Sequence, residues 1–342
     1  MNKIPLEKLF FSKTRDFLDL YLSTQCSKSK HTIKAYRDAL TVFRKYVVEV
    51  RNYSVKTFSF DDCTRDFILD FIEYLQNLGL SPNTCNHRLA ALKAYMWYVS
   101  DGDISLQQIA IVVSRIPFLK VPEKNKELLS EECLAAILAA PKATKFGIRD
   151  TTIMVLLYDT AIRLSELIEL NISSVVFDAP IPYLRIHGKG DKERIVSFTS
   201  NTAMHLKNYI NVYHKNNAVR DKCLFYTTIH GVDNRMSPGN IERIINKYAN
   251  EIRPSYPELP SKVHPHMFRR TRATNLYQND VSLELVSRML GHASTQTTRI
   301  YARPSVAMLK EAIEKSPYIS PDEQPLWLLN DEDELAKLCG LR

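Results

Sequence analysis

From Arg163 onward the chain sets five basic side chains ahead of one tyrosine, each in a distinctive local setting. Arg163 stands in Thr160-Ala161-Ile162-Arg163-Leu164-Ser165-Glu166-Leu167, and Lys189 in Gly188-Lys189-Gly190-Asp191-Lys192. His266 and Arg269 stand in His264-Pro265-His266-Met267-Phe268-Arg269, His292 follows Leu290-Gly291, and Tyr301 closes Thr297-Thr298-Arg299-Ile300-Tyr301. These residue types meet the demands of a phosphodiester attacked by an oxygen nucleophile. Charge builds on the non-bridging oxygens, and guanidinium groups answer it with planar, paired hydrogen bonds while staying charged at every working pH. The departing 5′-oxygen needs a proton, which a lysine on a glycine-flanked turn can deliver. An imidazole can accept the proton of an attacking tyrosine or hydrogen-bond a phosphate oxygen. A phenol with a pKa of about 10 is a poor nucleophile unless a cationic pocket stabilises the developing phenolate.

Each position alone has a plainer reading. Arg163 and Glu166, three apart on one helical face, fit an exposed ion pair. Lys189, with Lys192 and Arg194 close by, fits a polar hairpin turn that touches phosphate and does nothing further. His266 and Arg269 share one face of a helix starting near Pro265, with His264 as a rival whose distance from Arg269 does not fit. Gly291 reads as a helix-ending residue, which would leave His292 a structural loop histidine. Tyr301 is one of 17 tyrosines, so its role rests on its company; Tyr277 is the nearest rival. Ser294 reads as an N-cap on the approach to Tyr301.

The elements that must position these residues are mostly helical. Between about Phe11 and Val99, Ile33, Tyr36, Leu40, Phe43 and Val47 recur at spacings of three and four, with Lys34, Arg37, Asp38, Arg44 and Lys45 in the other positions. Ser81-Pro82 reads as an N-cap and a first-turn proline. The segment it opens runs through Leu89, Leu92, Tyr95, Met96 and Val99, with Asn83, His87, Arg88 and Lys93 turned away from that stripe. Phe67, Leu69, Phe71, Ile72 and Leu75 predict a helix between the two. Residues 1–112 are therefore predicted to form a small helical bundle. Residues 113–128, with Pro117, Pro122, Lys120, Lys124 and Lys126, suit an extended basic connector. Leu129-Ser130-Glu131-Glu132 then opens a second, mainly helical domain over residues 129–316. One β-ribbon interrupts it, Tyr183-Leu184-Arg185-Ile186 against Glu193-Arg194-Ile195-Val196. Residues 317–342 form a tail: Pro317, Pro321 and Pro325 make a leash, followed by Trp327-Leu328-Leu329 and a short amphipathic helix with Leu335, Leu338 and Leu341. So short a helix needs a docking surface, on its own domain or on a neighbouring subunit.

The bulk numbers bound the class. At 342 residues the chain can fill two cores, and 45% apolar with 25% charged residues is ordinary for a soluble protein. The net charge is +8, and the tail from Pro317 carries six acidic against two basic residues, leaving +12 on the remainder. That asymmetry favours a polyanionic partner. Six scattered cysteines, with no C-x-x-C pair and no metal-ligand spacing, read as reduced thiols of a cytosolic protein. There is no signal-peptide core at the N-terminus and no apolar run long enough to cross a bilayer. Neither a clustered carboxylate set for two metals nor a G-x-x-x-x-G-K-[ST] loop is present, so no metal and no cofactor are expected.

Taken together, the six positions closely resemble the tyrosine recombinase family (lambda-integrase-type, Xer-like), whose members cut and rejoin DNA through a phosphotyrosine. The resemblance implies a mainly α, two-domain fold: an N-terminal SAM-like helical bundle that binds core DNA, and a mostly helical catalytic domain with a small β-sheet. It implies Arg163, Lys189, His266, Arg269, His292 and Tyr301 as the catalytic set, with Glu166 as the carboxylate that orients the site. In that set Lys189 protonates the 5′-oxygen, and the nine-residue spacing from His292 to Tyr301 matches the family. Segments Ser29 to Val47 and Ser81 to Leu92 look like two helices of the family's N-terminal domain. The sequence departs from the commonest pattern at Arg270, where a histidine usually follows the arginine. Lys34, Arg37, Arg88, Lys93, Lys192 and Arg270 are the expected DNA contacts. The implied partners are double-stranded DNA with specific recombination sites and a homo-tetramer on synapsed DNA, built from a monomer in solution. An accessory protein or sister recombinase is compatible with it, and no membrane is involved. Two other readings share parts of this pattern: a type IB topoisomerase, which has the same pocket, and a catalytically idle DNA-binding regulator.

Overall fold

Serine and threonine caps open most of the helices that the apolar stripes predict. The computed structural model describes residues 4–122, 127–188, 193–214, 221–292, 294–302, 304, 306–315 and 332–340. The chain divides into two compact units, Met1–Asn125 and Lys126–Arg342.

In the first unit a helix over Asp16–Gln25 closes with wide turns, Cys26 N–H donating to the Tyr21 carbonyl at 2.8 Å. It is followed by α1 (Lys30–Lys45), α2 (Arg65–Asn77), α3 (Pro82–Gly102) and α4 (Gln107–Ser114). Ser29, Thr64 and Ser81 each accept a backbone N–H three residues on, satisfying a donor that the helix start leaves open. The stripes face an aromatic core. Phe43 is fully buried, with its ring 5.0–6.1 Å from those of Phe10, Phe58, Phe67 and Phe71. The expected connector starts later than residue 113: α4 runs to Ser114, Ile116 is buried in this core, and Asn86 brackets the Leu119 backbone with two hydrogen bonds of 2.8 and 2.9 Å.

In the second unit, α5 (Glu131–Ala139) opens on Ser130, which accepts from Cys133 N–H. The central helix α6 (Lys145–Thr160) buries Ile153, Met154, Leu156 and Leu157 completely. After α7 (Leu164–Glu169) come β1 (Val175–Val176), β2 (Tyr183–His187) and β3 (Glu193–Ser197), an antiparallel sheet in the order β1-β2-β3. Its register pairs Leu184 with Val196 and Ile186 with Arg194, so these four share the inward face. Then follow α8 (Ser200–Tyr213), the hairpin β4 (Tyr226–Ile229) and β5 (Val232–Arg235), α9 (Pro238–Ile252), α10 (Pro265–Gln278) and α11 (Leu283–Leu290). Two short turns, Thr295–Thr297 and Arg299–Tyr301, precede α12 (Val306–Lys315) and α13 (Glu332–Leu338).

α6 packs against α8 and α10, and Asp159 ties all three. Its Oδ2 accepts from Thr199 N–H at 2.8 Å and the Thr202 hydroxyl at 2.6 Å, while Oδ1 accepts from Arg272 at 3.2 Å. The sequence predicted one ribbon, and the structure has a further strand and a second hairpin. The β4–β5 turn places both His230 (φ 49°) and Gly231 (φ 78°) in the left-handed region. That pair is a weak turn signal, and Val-Asp-Asn-Arg is a poor strand sequence. Among the described residues no helix is long and apolar enough to cross a membrane. The proline leash and Trp327-Leu328-Leu329 lie outside the described residues.

Candidate active site

α6 ends at Ala161 in the left-handed region (φ 50°), a conformation that costs a non-glycine residue about 1 kcal/mol. Its methyl group joins a small apolar cluster with Ala273, Val286, Leu290 and Tyr301, which a glycine could not do. The turn delivers Arg163 to the N-cap of α7. There the Glu166 carboxylate reaches back, accepting the Arg163 backbone N–H at 2.7 Å and its Nη1 at 2.8 Å. Arg194, on the inward face of β3, meets the same carboxylate with two further bonds, Nη1 to Oε1 at 2.8 Å and Nη2 to Oε2 at 2.7 Å. All four acceptor positions of Glu166 are filled. Burial opposes ionisation, but these hydrogen bonds from Arg194 and Arg163 outweigh it and hold the carboxyl at about 2.

The C-terminus of α11 is the second anchor. Its last carbonyls have no partner within the helix. Gly291, in the left-handed region (φ 62°), lets the chain fold back so that Gly291 N–H donates to Arg288 and His292 N–H to Ser287. The next three carbonyls are each taken by a different guanidinium: Met289 by Arg194 Nε at 3.3 Å, Leu290 by Arg269 Nη2 at 2.6 Å, and Gly291 by Arg163 Nη2 at 3.1 Å. Cations at the negative end of a helix dipole are favourable as well as bonded.

Arg269 is only 1% exposed. Besides Leu290 it holds the Ala161 carbonyl at 2.6 Å and His292 Nε2 at 3.1 Å. Burial first, then the nearby Arg163 charge, lowers its pKa to about 10, which leaves it protonated at neutral pH. A guanidinium can only donate, so His292 Nε2 is the acceptor and Nδ1 carries the proton, which it donates to Thr298 Oγ1 at 2.8 Å. Burial and the surrounding arginines push His292 down to about 4, so the ring is neutral. The Tyr301 ring lies 6.1 Å from it at 23°, and Tyr301 is 2% exposed.

The structure thus brings Arg163, Glu166, Arg269 and His292 into one bonded network with Tyr301 packed against it. His266, in the first turn of α10 and exposed, lines a cavity of about 480 Å³ together with Arg163 and Arg269. Ser165, Asn246, Lys262 and His264 line the same cavity. Lys189 and Lys192 lie outside the described residues. Two expected DNA contacts are otherwise engaged. Lys93 donates to the Ser114 and Ile116 carbonyls at 2.9 and 2.5 Å, closing the end of α4, and Arg270 is 8% exposed and turned toward His264. Each stands on an inward position that a loose helical pattern does not separate from an outward one. Arg37 pairs with Asp19 on the surface, Lys34 is exposed, and Arg88 is half-buried. Sequence reasoning gave Thr298 no bonding role and read Arg194 as a ribbon residue near the turn that at most touches phosphate. The period-two alternation that puts Arg194 on the same face as Val196 was the available signal.

A helical bundle thus precedes a guanidinium-lined pocket with a tyrosine packed beside it. Residues 10–101 match the phage integrase SAM-like domain and residues 127–308 the phage integrase family. The chain belongs to that family, the tyrosine recombinases, enzymes of site-specific DNA recombination. Among its relatives, a tyrosine recombinase of Agathobacter rectalis is 30% identical over 86% of this chain and 92% of its own. Tyrosine recombinase XerC of Chlamydia caviae is 26% identical over 88% and 96%. The Tn1549 transposon integrase, solved in complex with circular intermediate DNA, shares the fold: TM-score 0.65, 18% identity, 91% of this chain and 100% of that one.

Proposed function

We propose that the chain cleaves one strand of a recombination site with Tyr301, forming a 3′-phosphotyrosine, and exchanges strands through a Holliday junction. Arg163 and Arg269 neutralise the non-bridging oxygens, while His266, exposed on the cavity, accepts the tyrosine proton or bonds a phosphate oxygen. His292 acts through its bond to Arg269. Lys189, in the loop between β2 and β3, protonates the departing 5′-oxygen. The phosphotyrosyl bond keeps the energy of the broken phosphodiester, so rejoining is close to balanced. The observation that carries this reading is the convergence of Arg163, Arg269 and His292 on the α11 terminus beside Tyr301. Tyr301 and Arg269 are 2% and 1% exposed, so phosphate reaches them once DNA binding shifts the Thr295–Tyr301 turns.

The protein works on double-stranded DNA in the cytoplasm, as a monomer that becomes a tetramer on synapsed sites, with an accessory protein or sister recombinase where the site demands one. Mobile-element integration or excision and chromosome resolution all use this chemistry. α12 exposes Val306 (84%), Leu309 (50%) and Ile313 (73%), spaced three and four apart on one face. That apolar face supports docking of the C-terminal segment on a neighbouring subunit. A duplex from the DNA flanking the gene, nicked beside the cleavage site, tests the reading. It should trap a covalent adduct that Tyr301→Phe loses, and paired sites should give junctions. No adduct from the unaltered protein would refute it. Deletion from Pro325 onward should spare cleavage and impair synapsis, and unchanged recombination would remove the tail's assembly role.

A further inference from the structure

Arg194 is half-hidden behind the pocket rather than lining it. Its side chain is 15% exposed, and Nη1, Nη2 and Nε all donate to groups of the protein, on α7 and at the end of α11. The contact is tight on the other side too. A methyl group added at Gly291 would lie 2.8 Å from the Arg194 guanidinium carbon, so the peptide leading into His292 lies directly against that group. Three separate elements therefore meet at one side chain: the Glu166 carboxylate that holds Arg163, the carbonyl end of α11 that holds Arg269, and the β2–β3 hairpin on which Arg194 stands.

We propose that Arg194 is a positioning residue of the strand-cleavage reaction, setting Arg163 through Glu166 and fixing the β2–β3 hairpin to the α11 terminus, and that it makes no phosphate contact. This rests on the site reading given above. The physical need is clear from the carboxylate. Glu166 is buried, and an ionised carboxylate out of water must be paired and fully hydrogen-bonded. Arg163 cannot supply that alone, because its side chain is 41% exposed and must meet phosphate. Arg194 supplies two of the four bonds, so Glu166 stays charged while the partly exposed Arg163 lines the cavity. The charged and titratable groups around Glu166 are Arg163 at the N-cap of α7, Arg194 on β3, Arg269 on α10 and, near the same arginines, His266 and His292. Removing Arg194 takes away the foremost group lowering the Glu166 pKa and leaves burial to raise it. Glu166 then takes up a proton at higher pH than in the unaltered protein and lets go of Arg163 as pH falls.

The test is single-turnover cleavage of the nicked duplex by the full chain, as a function of pH and salt, for the unaltered protein, Arg194→Gln, Arg194→Lys and Arg194→Gln with Glu166→Gln. Arg194→Gln should cleave about 10–100-fold more slowly and acquire a new fall in rate toward acid. Its DNA affinity and the slope of log affinity against log salt should match the unaltered protein. The double variant should lose that acid fall, since the titrating group is gone. Arg194→Lys keeps the charge without the planar fork, so its acid limb should match the unaltered protein while the rate still drops. A salt slope reduced by about one with an unchanged pH profile would make Arg194 a phosphate ligand and overturn the proposal. So would a cleavage rate within twofold of the unaltered protein in either single variant. If Arg194→Gln does not fold, Arg194→Lys decides by the same rate and slope. Absence of an adduct from the unaltered protein takes down the site reading as well. A Tyr301-dependent adduct with these Arg194 results failing takes down this proposal alone.

Discussion

The two units differ in what they hide from water. Among the described residues, the N-terminal unit buries aromatic and aliphatic side chains, and its buried polar residues are Ser59 and Ser100. The C-terminal unit also buries Asp150, Asp159, Glu166, His214, Arg269 and Arg270. Removing a charge from water costs several kcal/mol unless its partners are complete. Asp159 answers with three bonds, Glu166 with four and Arg269 with three, although the buried Arg269 Nε has no partner among the described residues. Such networks are weak as sources of stability and strong as sources of geometry. The unit that carries Tyr301 has them, whereas the N-terminal helical bundle is held by rings and caps.

The sharpest way to break this contrast is a pair of deletions of similar size. Glu166→Ala should destabilise the C-terminal unit by about 3–5 kcal/mol, because Arg194 and Arg163 lose a shared buried partner, and should abolish cleavage. Phe43→Ala should cost the N-terminal unit about 3–5 kcal/mol by opening a cavity, while an adduct still forms wherever the unit remains folded. Hydrogen exchange in α7 and α1 reads the two losses separately. An adduct from Glu166→Ala at the unaltered rate would erase the distinction.

Acid should separate the units next. His292 sits at about 4 in the fold against an ordinary 6.5, so the unfolded chain binds the extra proton between those values and stability falls as pH drops through that window. His214 and His264 are lowered by burial and act in the same sense. Glu166, at about 2 against 4.5, adds a loss only below pH 4.5. In the N-terminal unit, burial raises Tyr46, Tyr95 and Cys63, which matters only in alkali. Exchange protection, corrected for intrinsic rates between pH 7 and 4.5, should therefore fail first around α10 and α11. Simultaneous loss in both units would count against this assignment.

The smallest effect is a control common to both units. Ser81→Ala and Ser130→Ala each remove one N-cap bond and should cost about 1 kcal/mol, alike in the two units and independent of pH. A much larger loss at either site would mean that the cap has another task.

Local signals were legible in the sequence. Ser81 as a cap, the helix start at Leu129-Ser130-Glu131-Glu132, Gly291 as a helix end, the start of α10 at Pro265 and the β2–β3 ribbon all follow from residues a few positions apart. The β4–β5 hairpin was hidden by a polar strand sequence. Partnerships were the other blind spot. Arg194 meets Glu166 across 28 residues and Arg163 meets Gly291 across 128, and nothing local encodes either. The partners of Lys93 were hidden for the same reason, since its carbonyl acceptors belong to α4 and the chain that follows it. Family resemblance supplied the six positions. It could not show that three guanidinium groups divide the last carbonyls of one helix among them.

In the proposed reaction two of these guanidiniums, Arg163 and Arg269, neutralise charge on the scissile phosphate. Single-turnover cleavage by Arg269→Ala on two matched nicked duplexes tests it, one with an ordinary phosphate and one with a neutral methylphosphonate at the cleaved position. Arg269→Ala should lose on the order of 10²–10³-fold on the phosphate, largely recovered on the neutral linkage, where there is less charge to offset. Equal losses on both duplexes would contradict it.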